Sequence, residues 1–375
     1  MFEKHSWYHL LPDENLDICT ENYEMFFRTM YERQMIWKRR FIDKQERPWT
    51  DDAILRDYKF TNVYRELDRN SQWQIKNILL DGELDLRNLI WKMMVFRFFN
   101  NPETFEFDPK NKELQGDLFG DKVRSGLKQI NDFNDCKSAK DWRNGIPSFE
   151  EYDEAEFSQF IAGVRSVGLN PFTTAYLINS QATPGQSRDY CYTRVVIPYL
   201  HSKMDELIKI VRAASDPMEI IKYLKTFPSV QDFIAHEFYQ DFTYIPRYTD
   251  KQFMLFDQND YTNVGPGASI GIRLIYPNLK TLKEQKHAIY RLKEKADEEL
   301  SKIGEFSYLH WDKPDKNYIV SNDKNYAKRH DTFIHSYGGI TLHQIEMWLC
   351  EFQKYWKMTH GEGKQRSKFS IKTKV

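Results

Sequence analysis

Between Lys225 and Asp241 the chain reads KTFPSVQDFIAHEFYQD, which sets two carboxylates where a helix carries apolar side chains. Wound at roughly 100° per residue, Val230 to Phe242 gathers Phe233, Ile234, Phe238 and Phe242 on one arc, with Glu237 and Asp241 near its middle. A carboxylate facing a core is costly unless it is paired or hydrogen-bonded. The fold must therefore either bring an arginine from another helix to this face or open a pocket there. In such a pocket burial raises an acid's pKa and a nearby cation lowers it.

The rest of the chain is written mainly in helical period, and alternating strand patterns are scarce. Helices are expected over about 15–43, 60–80, 83–99, 149–167, 171–179, 188–214, 217–226, 230–242 and 281–303. A closing helix is expected over about 341–358, announced by a Thr341/Gln344 capping box and an Ile340/Ile345 staple. Residues 108–117 read as a surface loop and 312–331 as a loop or a short strand pair, and the basic tail carries Lys364, Arg366, Lys368, Lys372 and Lys374.

Charge and cysteine content narrow the function classes. A formal net charge of −1 over 375 residues gives no global basic field, so any nucleic-acid surface must be local. The four cysteines, Cys19, Cys136, Cys191 and Cys350, form no CxxC pair, which argues against a zinc ribbon, an iron–sulfur loop or a disulfide framework; no metal or cofactor is expected. With no apolar leader and no run of 18 apolar residues, the expectation is a cytoplasmic protein that does not enter a membrane. Nothing matches G-x-x-x-x-G-K-[ST], which excludes a nucleotide kinase built on that loop within these residues.

Three further stretches carry candidate chemistry. In FTNVYRELDRNSQWQIKNIL a single helix would align Arg65, Arg69 and Lys76 beside an apolar face, either as a phosphate-binding stripe or as a solvated edge, with Asp68 needing a cationic partner. The segment FPSVQDFIA has the frame of the helix-hairpin-helix of DNA glycosylases, with Ser229 and Gln231 at the glycine positions where backbone N–H groups approach a phosphate; on these nine residues alone a generic helix-turn-helix corner is the better reading. Further on, Asp260 precedes a turn of Gly265, Pro266 and Gly267 that opens another helix; Asp260, with Asp257 second, is the candidate catalytic acid, the alternative being a turn cap.

Taken in order, FTNVYRELDRNSQ, FRFFNNPETF, FIAHEFYQDFTY, NVGPGASIGI, IEMWLCEFQKY and GEGKQRSKF resemble the family of alpha-glutamyl/putrescinyl thymine pyrophosphorylases and the helical domain of 5-hydroxymethyluracil DNA kinases. The resemblance spans about residues 49–369. It implies an all-α, two-lobed, glycosylase-like helical fold over 49–369, with an N-terminal helical extension over 1–48, the hairpin region at about 217–277 and a basic tail over 370–375. Asn62, Arg65, Asp68 and Arg69 carry over as pocket or DNA-contact residues, and Lys354 matches the last block together with Glu346, Glu351 and Tyr355. That block departs at Gln344 and Gln353, where the family pattern has aspartates.

The activity expected from these features is a monofunctional DNA glycosylase that excises bulky modified pyrimidines, such as glucosylated hydroxymethylcytosine, from phage DNA in anti-phage defence. Asp260 would stabilise an oxocarbenium-like sugar, while Glu237 and Asp241 would hold the flipped base. Ser229, Gln231, Gly265 and Gly267 would contact the strand. The hairpin position of a Schiff-base lysine is Phe233, so no strand nick is expected. The alternatives are a transferase acting on an activated 5-hydroxymethylpyrimidine and a non-catalytic DNA-binding helical module. DNA is the partner in every case, and no obligate protein partner is implied.

Overall fold

Why the long apolar periodicities become separate helices is visible at their ends. Asp52, Asp85, Asn101, Ser187 and Asp216 each accept a backbone N–H at a helix start, satisfying donors that the first turn leaves open. The computed structural model describes residues 16–106 except 80 and 82, 145–248 except 167 and 175–177, 253–308, 339–362 and 368. The fold is all-α; among the described residues the one β feature is an isolated antiparallel bridge between Tyr58 and Lys368.

The chain divides into two compact units, one built from Met1–Gln72 with Phe256–Val375 and the other from Trp73–Leu255. In the first, the helices Thr20–Trp37, Pro266–Ile275, Leu282–Ile303 and Leu342–Thr359 enclose a core that includes Phe26, Phe27, Trp37, Ile272, Ile289, Trp348 and Phe352. Gly267 and Gly271 allow the Pro266–Ile275 helix to lie directly on the closing helix. A Cβ at Gly271 would stand 2.4 Å from the Leu349 carbonyl oxygen, and one at Gly267 would stand 3.0 Å from Cys350 Sγ. The capping boxes Thr281/Glu284 and Thr341/Gln344 start the two long helices.

The second unit uses much of the chain's aromatic content as packing. Trp73 stacks on Phe96 at 4.6 Å, Phe99 on Phe172 at 4.8 Å, and Phe98 meets Phe238 edge-on at 4.9 Å. Burial of each such side chain favours folding by about 1.5–3 kcal/mol. Its helices include Leu86–Phe99, Glu154–Ser166, Ile197–Ala213, Pro217–Leu224 and Asp232–Phe242.

Four expectations are corrected here. Residues 60–80 are not one helix: Asp68 is extended (φ −72°, ψ 143°), its carbonyl accepts Gln72 N–H at 2.8 Å, and its carboxylate accepts Asn62 N–H at 2.9 Å, so the helix restarts at Arg69. The stripe of Arg65, Arg69 and Lys76 is thereby broken; Arg69 is exposed and Lys76 is buried. Residues 171–174 are not helical, because Thr173 N–H donates to the Phe99 carbonyl instead. The 188–214 helix contains a π-helical turn, Tyr192–Val196. Pro198 explains it, since its ring crowds the Arg194 carbonyl and supplies no N–H. Phe233 lies on the exposed side of its helix, 41 % exposed, while Ile234, Phe238 and Phe242 are buried. The loop expected at 108–117, the loop or strand pair expected at 312–331 and the tail cations Lys364, Arg366, Lys372 and Lys374 lie outside the described residues.

Candidate functional site

Two groups of polar side chains collect residues that the sequence singles out, one buried in the second unit and one half-buried in the first. In the second unit Glu237 and Asp241, one helical turn apart, face Arg97 of the Leu86–Phe99 helix. Arg97 Nε and Nη2 donate to the two Asp241 oxygens at 2.8 and 2.5 Å, and Nη1 lies 3.5 Å from Glu237 Oε2. Gln74 Oε1 accepts from Arg97 Nη2 at 2.8 Å, Gln74 Nε2 donates to Asp241 at 3.0 Å, and Asn100 Oδ1 accepts from Nη1 at 3.2 Å. Arg97 and Asp241 are 1 % exposed and Glu237 3 %. This is the ion-pair resolution of the two carboxylates, bidentate and closed by two amides. Sequence reasoning expected an arginine from another helix but did not single out Arg97; the signal that could have found it is a cation inside WKMMVFRFF.

The hairpin before this helix is present as a backbone turn. Ser229 has φ +60°, the left-handed conformation for which a glycine would be suited, and its Oγ accepts Ala182 N–H at 3.2 Å. Gln231 is extended at the start of the Asp232–Phe242 helix and makes no side-chain cap.

The first unit assembles a less saturated group. Asp68 Oδ1 accepts both the backbone N–H of Asn62 and its Nδ2, the latter at 3.0 Å. Burial pushes the Asp68 carboxyl up to about 6, even though Arg65 and Arg33 and the Asn62 hydrogen bonds pull it down. Arg33, on the Thr20–Trp37 helix, donates to the Phe60 carbonyl at 3.2 Å. Burial brings its guanidinium down to about 10 against the pull of Asp68 and Glu351, and Arg40 adds a like-charge push. Glu351, 4 % exposed, accepts Thr61 N–H at 3.2 Å and pairs with Lys354 at 2.6 Å. Arg65 Nη1 lies 3.8 Å from Met347 Sδ. The FTN…YR…LDR segment and the closing helix therefore meet around a partly buried acid and two arginines.

The remaining candidates have plainer surroundings. Asp260 Oδ2 accepts Asp257 N–H at 2.7 Å, the geometry of a turn cap. Gly265 N–H points to Glu346 Oε1 at 3.4 Å, and Gly267 is a close-packing position against Cys350, whose thiol burial pushes well up. Gln344, at a departure from the family pattern, is fully buried and donates to Gln258 Oε1 at 2.8 Å, while Gln258 Nε2 donates to Glu66 at 2.8 Å. An amide there satisfies a neutral network in which an aspartate would face Glu66 through one side chain. Among the described residues no group of three or more His, Cys, Asp or Glu side chains is arranged to hold a metal ion, and no helix is long and apolar enough to cross a membrane. Sequence reasoning missed Arg33, which sits in an ordinary amphipathic helix and carries no local signal.

Fold and site together define an all-helical protein that sets a half-buried acid among arginines. Residues 20–113 and 140–365 match the family model described as 5-hmdU DNA kinase, helical domain, and the chain belongs to that family. A protein of Bacillus phage SP10 named 5-hmdU DNA kinase is 24 % identical over 360 residues, covering 92 % of this chain and 47 % of the phage protein. The chain thus spans about half the length of that relative. No solved structure matches.

These matches overturn the expected activity. A kinase is a transferase that moves a phosphoryl group, whereas the sequence pointed to a hydrolase that cuts N-glycosidic bonds; the assignment as a DNA glycosylase, with its role in anti-phage excision, is withdrawn. The misdirection came chiefly from the glycosylase-like fold and activity that the resemblance implied, with the hairpin frame FPSVQDFIA as a weaker pointer, since neither fold nor turn specifies chemistry.

Proposed function

We propose that this chain acts on DNA bearing 5-hydroxymethyluracil, in the transfer of a phosphoryl group to the base hydroxyl. The observation that carries this reading is the match of most of the chain to the helical domain of 5-hmdU DNA kinases. In the proposed step the hydroxymethyl oxygen attacks the terminal phosphorus of a nucleoside triphosphate. A P–O bond forms, the bond to the nucleoside diphosphate breaks, and Asp68 takes the hydroxyl proton. A carboxyl pushed up to about 6 is suited to that task, being ionised at neutral pH yet more basic than an ordinary aspartate. Arg65 and Arg33 supply positive charge where the phosphoryl oxygens would gather.

The triphosphate lacks a lysine-bearing phosphate loop in this sequence. We place base recognition within these residues. Asn62, Arg65, Asp68 and Lys354 are the proposed base-side residues, whereas Glu237 and Asp241 hold the second unit together through Arg97. The test is the affinity for otherwise identical oligonucleotides carrying 5-hydroxymethyluracil or thymine. A preference of about tenfold or more for the hydroxylated base is expected, since an unmade hydrogen bond to a charged group is worth about 1.5–3 kcal/mol. Equal affinities would contradict the proposal.

A further inference from the structure

Asp68 and Arg65 stand on one short turn of the first unit. Arg65–Leu67 is a 3₁₀ turn closed by Asp68 N–H, which donates to the Arg65 carbonyl at 2.9 Å, and Asn62 Nδ2 donates to the Leu67 carbonyl at 2.9 Å. Between the two half-buried side chains lies Glu66, which is 2 % exposed. A carboxylate so far inside is costly unless it is hydrogen-bonded.

Glu66 opens a chain of amides that ends at the start of the closing helix. Its Oε1 accepts Gln258 Nε2 at 2.8 Å, Gln258 Oε1 accepts Gln344 Nε2 at 2.8 Å and Thr341 Oγ1 at 3.1 Å, and Gln344 Oε1 accepts the Thr341 backbone N–H at 2.7 Å. Gln258 and Gln344 are fully buried. A carboxylate oxygen only accepts, so the order of the amides is fixed: Gln258 turns its nitrogen to Glu66 and its oxygen to Gln344, and Gln344 turns its oxygen to the helix start. An inverted amide would set like groups face to face in the interior. Asp260 belongs to the same arrangement, because by accepting Asp257 N–H it closes the turn that carries Gln258. Asn259 Oδ1 accepts Leu342 N–H at 3.3 Å and ties that turn to the closing helix a second time. On the same helix, Met347 Sδ is what Arg65 Nη1 approaches at 3.8 Å.

We infer that Glu66 is a positioning residue for the base-recognition group: through Gln258 and Gln344 it fastens the turn that carries Arg65 and Asp68 to the closing helix, and so holds both side chains where the base hydroxyl is read. This rests on the proposed function for the identity of what is read. Glu66 acts through the turn and is not itself a base contact. Displacement of a reading group by about 1 Å is enough to cost much of its advantage. The turn also keeps Asp68 out of water, and burial is the largest influence on that carboxyl.

The experiment compares E66A, E66Q and E66D with wild type by two readings: the preference for oligonucleotides carrying 5-hydroxymethyluracil over thymine, and the titration midpoint of the Asp68 carboxyl followed by ¹³C NMR. E66A ends the chain at Gln258, and its preference is expected to fall about tenfold. Its Asp68 midpoint is expected to move from about 6 toward 3.8 as the loosened turn admits water. The amide of E66Q still accepts from Gln258, so both readings are expected near wild type. E66D keeps the charge and withdraws the carboxylate by one methylene; it is expected to move both readings the same way by less, and it carries the test if E66A does not fold. A folded E66A, or E66D in its place, with both readings at the wild-type value overturns the positioning role. An E66Q as impaired as E66A overturns the amide chain as its means. A wild type with no preference between the bases overturns the base-recognition reading, and a shifted Asp68 midpoint in the variants then still upholds the hold of Glu66 on the turn.

Discussion

The two polar groups use the same chemistry and reach opposite ends of it. Around Arg97 the guanidinium donates to both oxygens of Asp241, approaches Glu237, and is flanked by Gln74 and Asn100. Around Asp68 the acid receives two hydrogen bonds from Asn62, and Arg65 and Arg33 pull its carboxyl down against the larger upward push of burial. A buried pair closed by bidentate bonds fixes structure, whereas an acid that burial raises toward neutral pH can exchange a proton. Burial separates the two as well: Arg97, Glu237 and Asp241 are almost fully buried, whereas Asp68, Asn62, Arg65 and Arg33 are half-buried.

The largest effect tests the group around Arg97. Asp241→Asn leaves Arg97 facing a neutral amide inside the core, and the expected loss is about 3–5 kcal/mol of folding stability, measured by denaturant unfolding. A change below 1 kcal/mol would mean that Arg97 relaxes toward other acceptors and that the contrast between the groups is false.

Asp68→Asn is expected to do the reverse, with little loss of stability and a fall in preference for 5-hydroxymethyluracil over thymine of about tenfold, the scale of one charge-assisted hydrogen bond. In wild type that preference should grow as pH rises through about 6, where Asp68 ionises. Stability runs the other way. The folded-state pKa lies above the ordinary 3.8, so the folded protein binds more protons than the unfolded chain between 3.8 and about 6. The contribution of Asp68 to stability therefore falls as pH rises across that window, and Asp68→Asn should remove this component of the pH slope.

Gly271→Ala separates packing from chemistry within the first unit. The added methyl meets the Leu349 carbonyl oxygen at 2.4 Å, so a destabilisation of about 1–3 kcal/mol is expected, with the base preference retained in the folded fraction. At the small end, Lys225→Ala removes an exposed ion pair with Asp232 at the hairpin. Its expected effect is below about 1 kcal/mol, and a larger one would give the hairpin a structural weight that its exposure does not suggest.

The helical class and the closing helix were legible because caps and period agree: Thr341 with Gln344, and Thr281 with Glu284, begin helices where the apolar pattern begins. The tension around Glu237 and Asp241 was legible as well, since acids on an apolar arc must find a cation. What pattern could not show is where a helix stops for a side chain. Asp68 sits in good helical period, yet its bonds to Asn62 turn the backbone and give the acid its setting. Arg33 acts on Asp68 from the Thr20–Trp37 helix, an electrostatic proximity that exists only after folding. Activity was furthest from view, because the glycosylase-like fold and the hairpin frame that suggested base excision are shared by many chemistries.

Selective ¹³C labelling of aspartate side chains, with Asp68→Asn to assign the missing signal, would test the central claim most directly by following the Asp68 carboxyl through a pH titration. The account predicts a midpoint near 6. A midpoint at the ordinary aspartate value near 3.8 would contradict it, leaving Asp68 as a helix cap with no more proton affinity than any exposed acid.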